Sequence, residues 1–165
     1  MYIDSVLDEL SRADSEAEIS EIRQELIAGG YIRRKGKDKI KLPKTLPPYE
    51  FTTSDGFRVL VGRNNVQNDK LTFKTAKNYD MWLHTQGFAG SHTVIASDNR
   101  EITDTAIEEA ARIAARFSSA DGADKVPVDY TLIKNVKKPN NAKPGKVIYH
   151  VYNTIYVSPN RDIQL

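Results

Sequence analysis

An α+β fold, with a mixed β-sheet packed by one long helix and preceded by an N-terminal helical hairpin or coiled-coil tail, is predicted by three features of the sequence. An apolar stripe at helical spacing occupies the first thirty residues. Two short alternating segments flank a Ser-Asp-Gly turn within 49–61, and an alanine-faced helical segment at about 105–117 is followed by further strand-like runs. The 165 residues suit one domain, or one domain with an appendage, because domains mostly run to about 100–200 residues. With 39% hydrophobic and 28% charged residues, and no apolar run near the roughly 20 that a bilayer needs, the chain is expected to be globular and not inserted in a membrane. Zero cysteines exclude disulfides, thiolate zinc sites, iron–sulfur clusters and a cysteine nucleophile. No basic, apolar signal sequence follows Met1.

The net charge of +2 hides a segregated pattern. Residues 1–30 carry −6, residues 31–48 carry +6 and residues 49–165 carry +2. This divides the chain into a helical arm (1–30), a basic linker (31–48) and a nearly neutral domain (49–165). In the arm, Ile3, Val6, Leu7 and Leu10 recur at i, i+3, i+4 and i+7. Ile19, Ile22 and Leu26 resume the stripe after Ala13-Asp14-Ser15, which can cap a second helix that Gly29-Gly30 ends. The stripe opens at residue 3 with no capping sequence before it, which suits the end of a longer coiled coil; a self-contained hairpin is the alternative. Pro43, Pro47 and Pro48 keep the linker from being a regular helix.

In the domain, Tyr49 to Thr53 and Phe57 to Val61 flank Ser54-Asp55-Gly56 as a hairpin, since glycine tolerates the positive φ of a tight turn. A short helix is expected within Asn64–Ala76, and His92 to Ala96 reads as a strand. From Thr105 to Phe117 a helix is expected, with Thr105 and Glu108 at capping-box spacing, Glu108 and Arg112 at i, i+4, and Ala106, Ala110, Ala111 and Ala114 on one face. Val128–Val136 and Val147–Val157 read as late strands, the second turning at Asn153.

Three constellations could carry chemistry. In Asp80-Met81-Trp82-Leu83-His84, an extended backbone puts Asp80, Trp82 and His84 on one face and Met81 and Leu83 in the core. Gly87 and Gly90 then allow sharp turns, and Gly90-Ser91 offers N–H groups and a hydroxyl to an anion just before His92. The alternative is a tight connection with Trp82 buried and both histidines bonded to carbonyls. A two-histidine, one-carboxylate metal site from Asp80, His84 and His92 has no recognised ligand spacing, and Ser91 lacks a nucleophile elbow. Gly62-Arg63-Asn64-Asn65-Val66-Gln67-Asn68-Asp69 supplies a guanidinium and several amides suited to RNA base edges, although the same residues serve as turns and caps. It is not a nucleotide P-loop. Finally, Lys134, Lys137, Lys138, Lys143 and Lys146 occupy one loop with two prolines and no acid. With the basic linker, this makes nucleic acid the leading partner.

In these residues the chain resembles the NFACT-R domain, the C-terminal RNA-binding-type module of the bacterial fibronectin-binding A/RqcH family, related to NEMF. The resemblance runs from about Pro48 to Pro159. It rests on the order and spacing of Ser54-Asp55-Gly56, Gly62-Arg63-Asn64-Asn65 with Asn68-Asp69, Asp80-Met81-Trp82-Leu83-His84, Gly90-Ser91-His92, Lys137-Lys138-Pro139 and Lys143-Pro144-Gly145. Asn140-Asn141 departs from the Lys-Gly-like pair expected there. The resemblance implies a cytoplasmic ribosome quality-control factor that binds obstructed large ribosomal subunits and tRNA and supports C-terminal alanine tailing. It implies binding rather than catalysis, and no cofactor. The implied RNA-contacting set is Arg63, Asn64, Asn65, Asn68, Asp80, Trp82, His84, Gly90, Ser91 and His92, with Lys137, Lys138 and Lys143 on phosphate. The rival expectation is a surface adhesin module that binds host fibronectin, for which the sequence shows no anchor.

Overall fold

A computed structural model describes residues 1–33 and 46–165, so the expected basic linker falls mostly outside the described residues. Helix α1 (Tyr2–Arg12) and helix α2 (Glu16–Ala28) form the arm. Ser15 caps α2 by accepting from the Glu18 amide at 3.2 Å, and Gly29 closes it, as the sequence predicts. Six strands follow: β1 (Tyr49–Thr52), β2 (Arg58–Val61), β3 (Met81–Thr85), β4 (Thr93–Ile95), β5 (Val126–Leu132) and β6 (Asn153–Val157). Between them lie helix α3 (Asn65–Lys70), which runs on as a π-helical turn over Leu71–Thr75, and helix α4 (Asp104–Arg116).

The sheet order is β1-β2-β4-β3-β5-β6, and every pairing is antiparallel, so the expected mixed sheet is corrected. The cause is interleaving. Strand β4 inserts between β2 and β3, and β3 between β4 and β5, so strands joined by helical crossovers are never direct neighbours. The β1–β2 hairpin turns as predicted, with Gly56 at φ +89° and Thr53 N donating to Phe57 O at 2.8 Å.

Both faces of the sheet are covered, each by its own core. On one face α4 lays Ala106, Ala110, Ala111 and Ala114 against Val59, Val61, Leu83, Ile95, Val126 and Val128. On the other, Leu71, Ile133 and Val136 enclose Trp82 and Val94. A single packing helix is therefore too simple: α4 has 13 residues, as does α2, and the second face is closed by the π-helical turn and loops. The cap of helix α4 lies two residues earlier than expected. It is Thr103, which accepts from Ala106 N at 3.0 Å while donating to Asp55, so Thr105 lies inside the helix. Arg112 donates to the Ser158 carbonyl at 3.1 Å, a contact the helical i, i+4 spacing does not foresee. Strand β5 ends at Leu132 in a 3₁₀ turn, and Val147 to Tyr152 run over the second core before β6.

The arm is turned opposite to its sequence pattern. Ile3, Leu7, Leu10 and Ile19 are exposed, whereas Asp8, Glu9, Glu18 and Glu25 are buried. Val6 and Ile22 are the members of the stripe that are buried, and Leu26 is half-buried. The physical reason is the surface opposite, which offers a guanidinium and amide donors rather than a hydrophobic groove.

Candidate nucleic-acid interface

The amide-rich loop after β2 is where the arm docks. Arg63 donates to Glu18 and, through Nε, to the Pro47 carbonyl at 2.7 Å, with its guanidinium 3.8 Å from the centre of the Tyr49 ring. Asn64 caps α3 through Gln67 N at 2.9 Å and donates to Glu21 at 2.7 Å. Glu25 accepts from Val66 N at 3.2 Å and Asn65 Nδ2 at 3.4 Å, and from the Tyr2 hydroxyl. Carboxylates at positions 18, 21 and 25 thus lie along one side of α2, each satisfied by this loop. Burial raises the pKa of Glu25, and it pushes Glu9 up to about 10 with help from the neighbouring Glu25 charge. Glu9 is therefore a neutral acid at pH 7.

Asn68 and Asp69 look the other way and tie three segments together. Asn68 Oδ1 accepts from His92 N at 3.1 Å, and Asp69 accepts from Gly145 N at 2.9 Å and from Lys138 Nζ at 3.1 Å. Gly62 is required here: a Cβ at that position would stand 1.9 Å from Asn68 Oδ1. His92 is buried, with Nε2 2.9 Å from Gly145 O and Nδ1 2.8 Å from the Thr72 hydroxyl. A carbonyl only accepts, so Nε2 carries the proton and Nδ1 accepts. Burial, then the adjacent His84, lowers the His92 pKa to about 3, and burial likewise lowers that of His84. Both imidazoles are neutral at pH 7.

The alternation in β3 is as the sequence predicts, but both of its faces are covered. Trp82 is fully buried, stacked on His84 with ring centres 5.7 Å apart, and its Nε1 has no acceptor among the described residues. His84 Nε2 donates to Gly90 O at 3.2 Å. Asp80 stands at the opposite end of the strand, apart from the imidazoles. Its carboxylate accepts from Lys77 N at 2.8 Å and Ser97 N at 2.9 Å, which closes two turns. Asp80, His84 and His92 thus do not converge on a metal position. Ser91 is buried, donates its amide to Phe117 O at 3.0 Å and accepts from Arg12 at 3.2 Å, so it does not face an external anion.

A cleft of about 1200 Å³ opens between α1 and the domain, floored by Trp82, His84 and Tyr149 and walled by Tyr2, Tyr31 and Phe88. Gly90, His92 and Asn65 border it, and Lys143 stands at its edge. Lys143 Nζ is 4.4 Å from the Tyr31 ring centre and 5.2 Å from that of Tyr2. Tyr149 is fixed from behind by Asp129, which also accepts from Gln86 at 3.0 Å and Thr154 at 2.7 Å. Lys134, Lys137, Lys143 and Lys146 are exposed; Lys138 also donates to the carbonyls of Lys143 and Lys146 and so shapes the loop.

Residues 48–151 match the NFACT protein RNA binding domain. The chain belongs to that family. It is 48% identical over 98% of its length to the Rqc2 homolog RqcH of Bacillus subtilis (strain 168), and 43% identical over 98% to that of Streptococcus suis (strain 05ZYH33). It spans 28% and 29% of the lengths of those two proteins. Among solved structures, the C-terminal part of the fibronectin/fibrinogen-binding protein of Streptococcus suis superposes with a TM-score of 0.89 at 43% identity. That match covers 98% of this chain and 64% of the other.

The NFACT-R lysine loop also accounts for its departure at Asn140-Asn141. Asn141 sits at φ +57°, the left-handed region that favours glycine and, after it, asparagine, so it performs the turn that the expected glycine would. The tyrosines of the cleft, Tyr2, Tyr31 and Tyr149, were not legible as a set, because they come from the arm, from the residue after Gly29-Gly30 and from a run read as strand. Phe88 was legible in principle: an aromatic between Gly87 and Gly90 in a short turn has no core to enter, and it is 44% exposed.

Proposed function

We propose that this chain is the RNA-binding module of a ribosome quality-control factor acting in the cytoplasm. In this reading the longer protein engages obstructed large ribosomal subunits and tRNA and supports alanine tailing, and this portion binds without catalysing. The match of residues 48–151 to an RNA-binding domain carries the proposal, and the exposed Lys143 and Lys146 at the edge of the cleft support it. Lys137 and Lys143 contact phosphate, while Lys138 holds the loop in shape through Asp69. Arg63, Asn64, Asn65 and Asn68, with Ser91 and His92, set the position of the cleft walls rather than offering free donors. Residues 1–30, 31–48 and 49–165 act as arm, basic linker and binding domain.

The test is a salt titration of binding to tRNA and to large ribosomal subunits, with fibronectin alongside. Affinity should fall steeply with salt, and Lys137→Glu with Lys143→Glu should weaken RNA binding about tenfold or more and flatten the salt slope by about one unit per lysine lost. Salt-independent binding, or binding of fibronectin alone, would remove the RNA reading. The adhesin alternative draws on the fibronectin/fibrinogen-binding name of the streptococcal neighbour. The family match and the lysine loop favour RNA over it.

A further inference from the structure

We infer that the cleft between α1 and the sheet is a pocket for one unstacked base of a single-stranded RNA, with its phosphate held at the rim by Lys143; the inference rests on the RNA reading above. Aromatic rings from both sides meet across the cleft, with Ile3, Leu7 and Val147 filling in between them. Tyr2 and Tyr31 form a pair with centres 5.2 Å apart on the arm side, Tyr149 lies 4.9 Å from Trp82 on the floor, and Phe88 projects from the Gly87 turn opposite. Flat apolar walls take a base of any identity, because every base has a π-face. At about 1200 Å³ the space exceeds the roughly 300–1,000 Å³ of ordinary small-molecule sites, leaving room for a nucleotide and the chain that continues from it.

The charge distribution suits the same ligand. His84 and His92 are neutral and bonded to carbonyls, and Asp8 is paired with Arg12 at 2.7 Å. Lys143 stands exposed at the edge, over the tyrosine pair, with Lys146 beside it and Asp4 as the carboxylate of the arm wall. An uncharged ring-lined interior with a cation at the mouth is complementary to a nucleotide, whose base is flat and neutral and whose tail is anionic. Because Tyr2 belongs to the arm and Tyr31 follows directly on it, the pocket is complete only when the arm is docked on the Arg63–Val66 segment.

The experiment uses the whole chain and short single-stranded oligoribonucleotides of mixed sequence, intact or with one abasic position scanned along them. Phe88 and Tyr31 are 44% and 39% exposed, so Phe88→Ala and Tyr31→Ala keep the fold. Each should weaken binding of the intact RNA about tenfold without changing the salt slope, since stacking releases no counterions. Lys143→Ala should lower that slope by about one unit. An abasic gap at the pocket position should cost wild type the same factor as Phe88→Ala and cost the variant nothing more, because the two changes remove one contact. If the aromatic variants bind like wild type while the lysine variants are weakened, the pocket is wrong and the RNA reading stands. If neither salt nor lysine loss matters, the RNA reading itself is wrong. Loss of fibronectin binding in Phe88→Ala, with RNA binding intact, would give the cleft to a protein ligand and overturn the inference.

Discussion

His92 and Glu9 show how burial sets the chemistry of single residues, and they pull stability in opposite directions with pH. The folded His92 pKa of about 3 lies below its unfolded value near 6.5. Its contribution is therefore complete above about pH 6.5 and is lost as pH falls from there toward 3, by up to about 1.4 kcal/mol per pH unit. Glu9, at about 10, lies above its unfolded value, so its contribution is complete below about pH 4.5 and is lost as pH rises toward 10. Glu25 and Asp8 shift in the same direction as Glu9. Denaturant unfolding should accordingly show lower stability at pH 9 than at pH 6.5. Glu9→Gln should flatten that decline and stabilise the protein by about 1–3 kcal/mol at pH 8; an unchanged pH profile in the variant would contradict the burial argument. The spacing of Trp82 and His84 was legible from β-strand alternation, but what lies on their side of the sheet was not. Strand periodicity reports which residues share a face and is silent on whether a distant loop, here 143–149, will cover it.

At the level of elements, the arm holds the clearest lesson about amphipathic helices. Its ends were readable from Ser15 and Gly29, because capping is local chemistry. Its orientation was not, since an apolar stripe normally faces the core, and here the partner surface is a guanidinium and a row of amides that select the acidic side. Arg63→Ala should leave Glu18 buried without its cation and cost about 3 kcal/mol, as expected for breaking a buried pair from one side. Limited proteolysis should then cleave within residues 1–33 faster than in wild type while 46–165 stays resistant. Equal cleavage rates would show that the pair does not hold the arm. The start of α4 missed by two residues for a related reason: two threonines, 103 and 105, both satisfy the cap preference, and the contact of Thr103 with Asp55 of the hairpin decides between them.

For the molecule as a whole, the hairpin and the existence of the later strands could be read from turn residues and alternation, whereas the order β1-β2-β4-β3-β5-β6 could not. Strand order depends on which edges meet after collapse, and nothing in a strand's own pattern names its neighbour. Asp129 shows how that order is locked, because its carboxylate gathers Gln86, Tyr149 and Thr154 from three separate parts of the chain. Asp129→Asn keeps the shape but puts a donor where hydroxyl or amide donors already point. It should cost about 1–3 kcal/mol, a drop of roughly 2–4 °C in Tm for each kcal/mol at this size. A melting curve that overlays wild type would show the network to be dispensable. Trp82, the single indole in the sequence, sits fully buried beneath the floor of the cleft against a neutral imidazole. The protein thus carries its own optical reporter: emission should be blue-shifted with the arm in place, move to longer wavelength when water reaches the floor, and allow occupancy to be followed without a label.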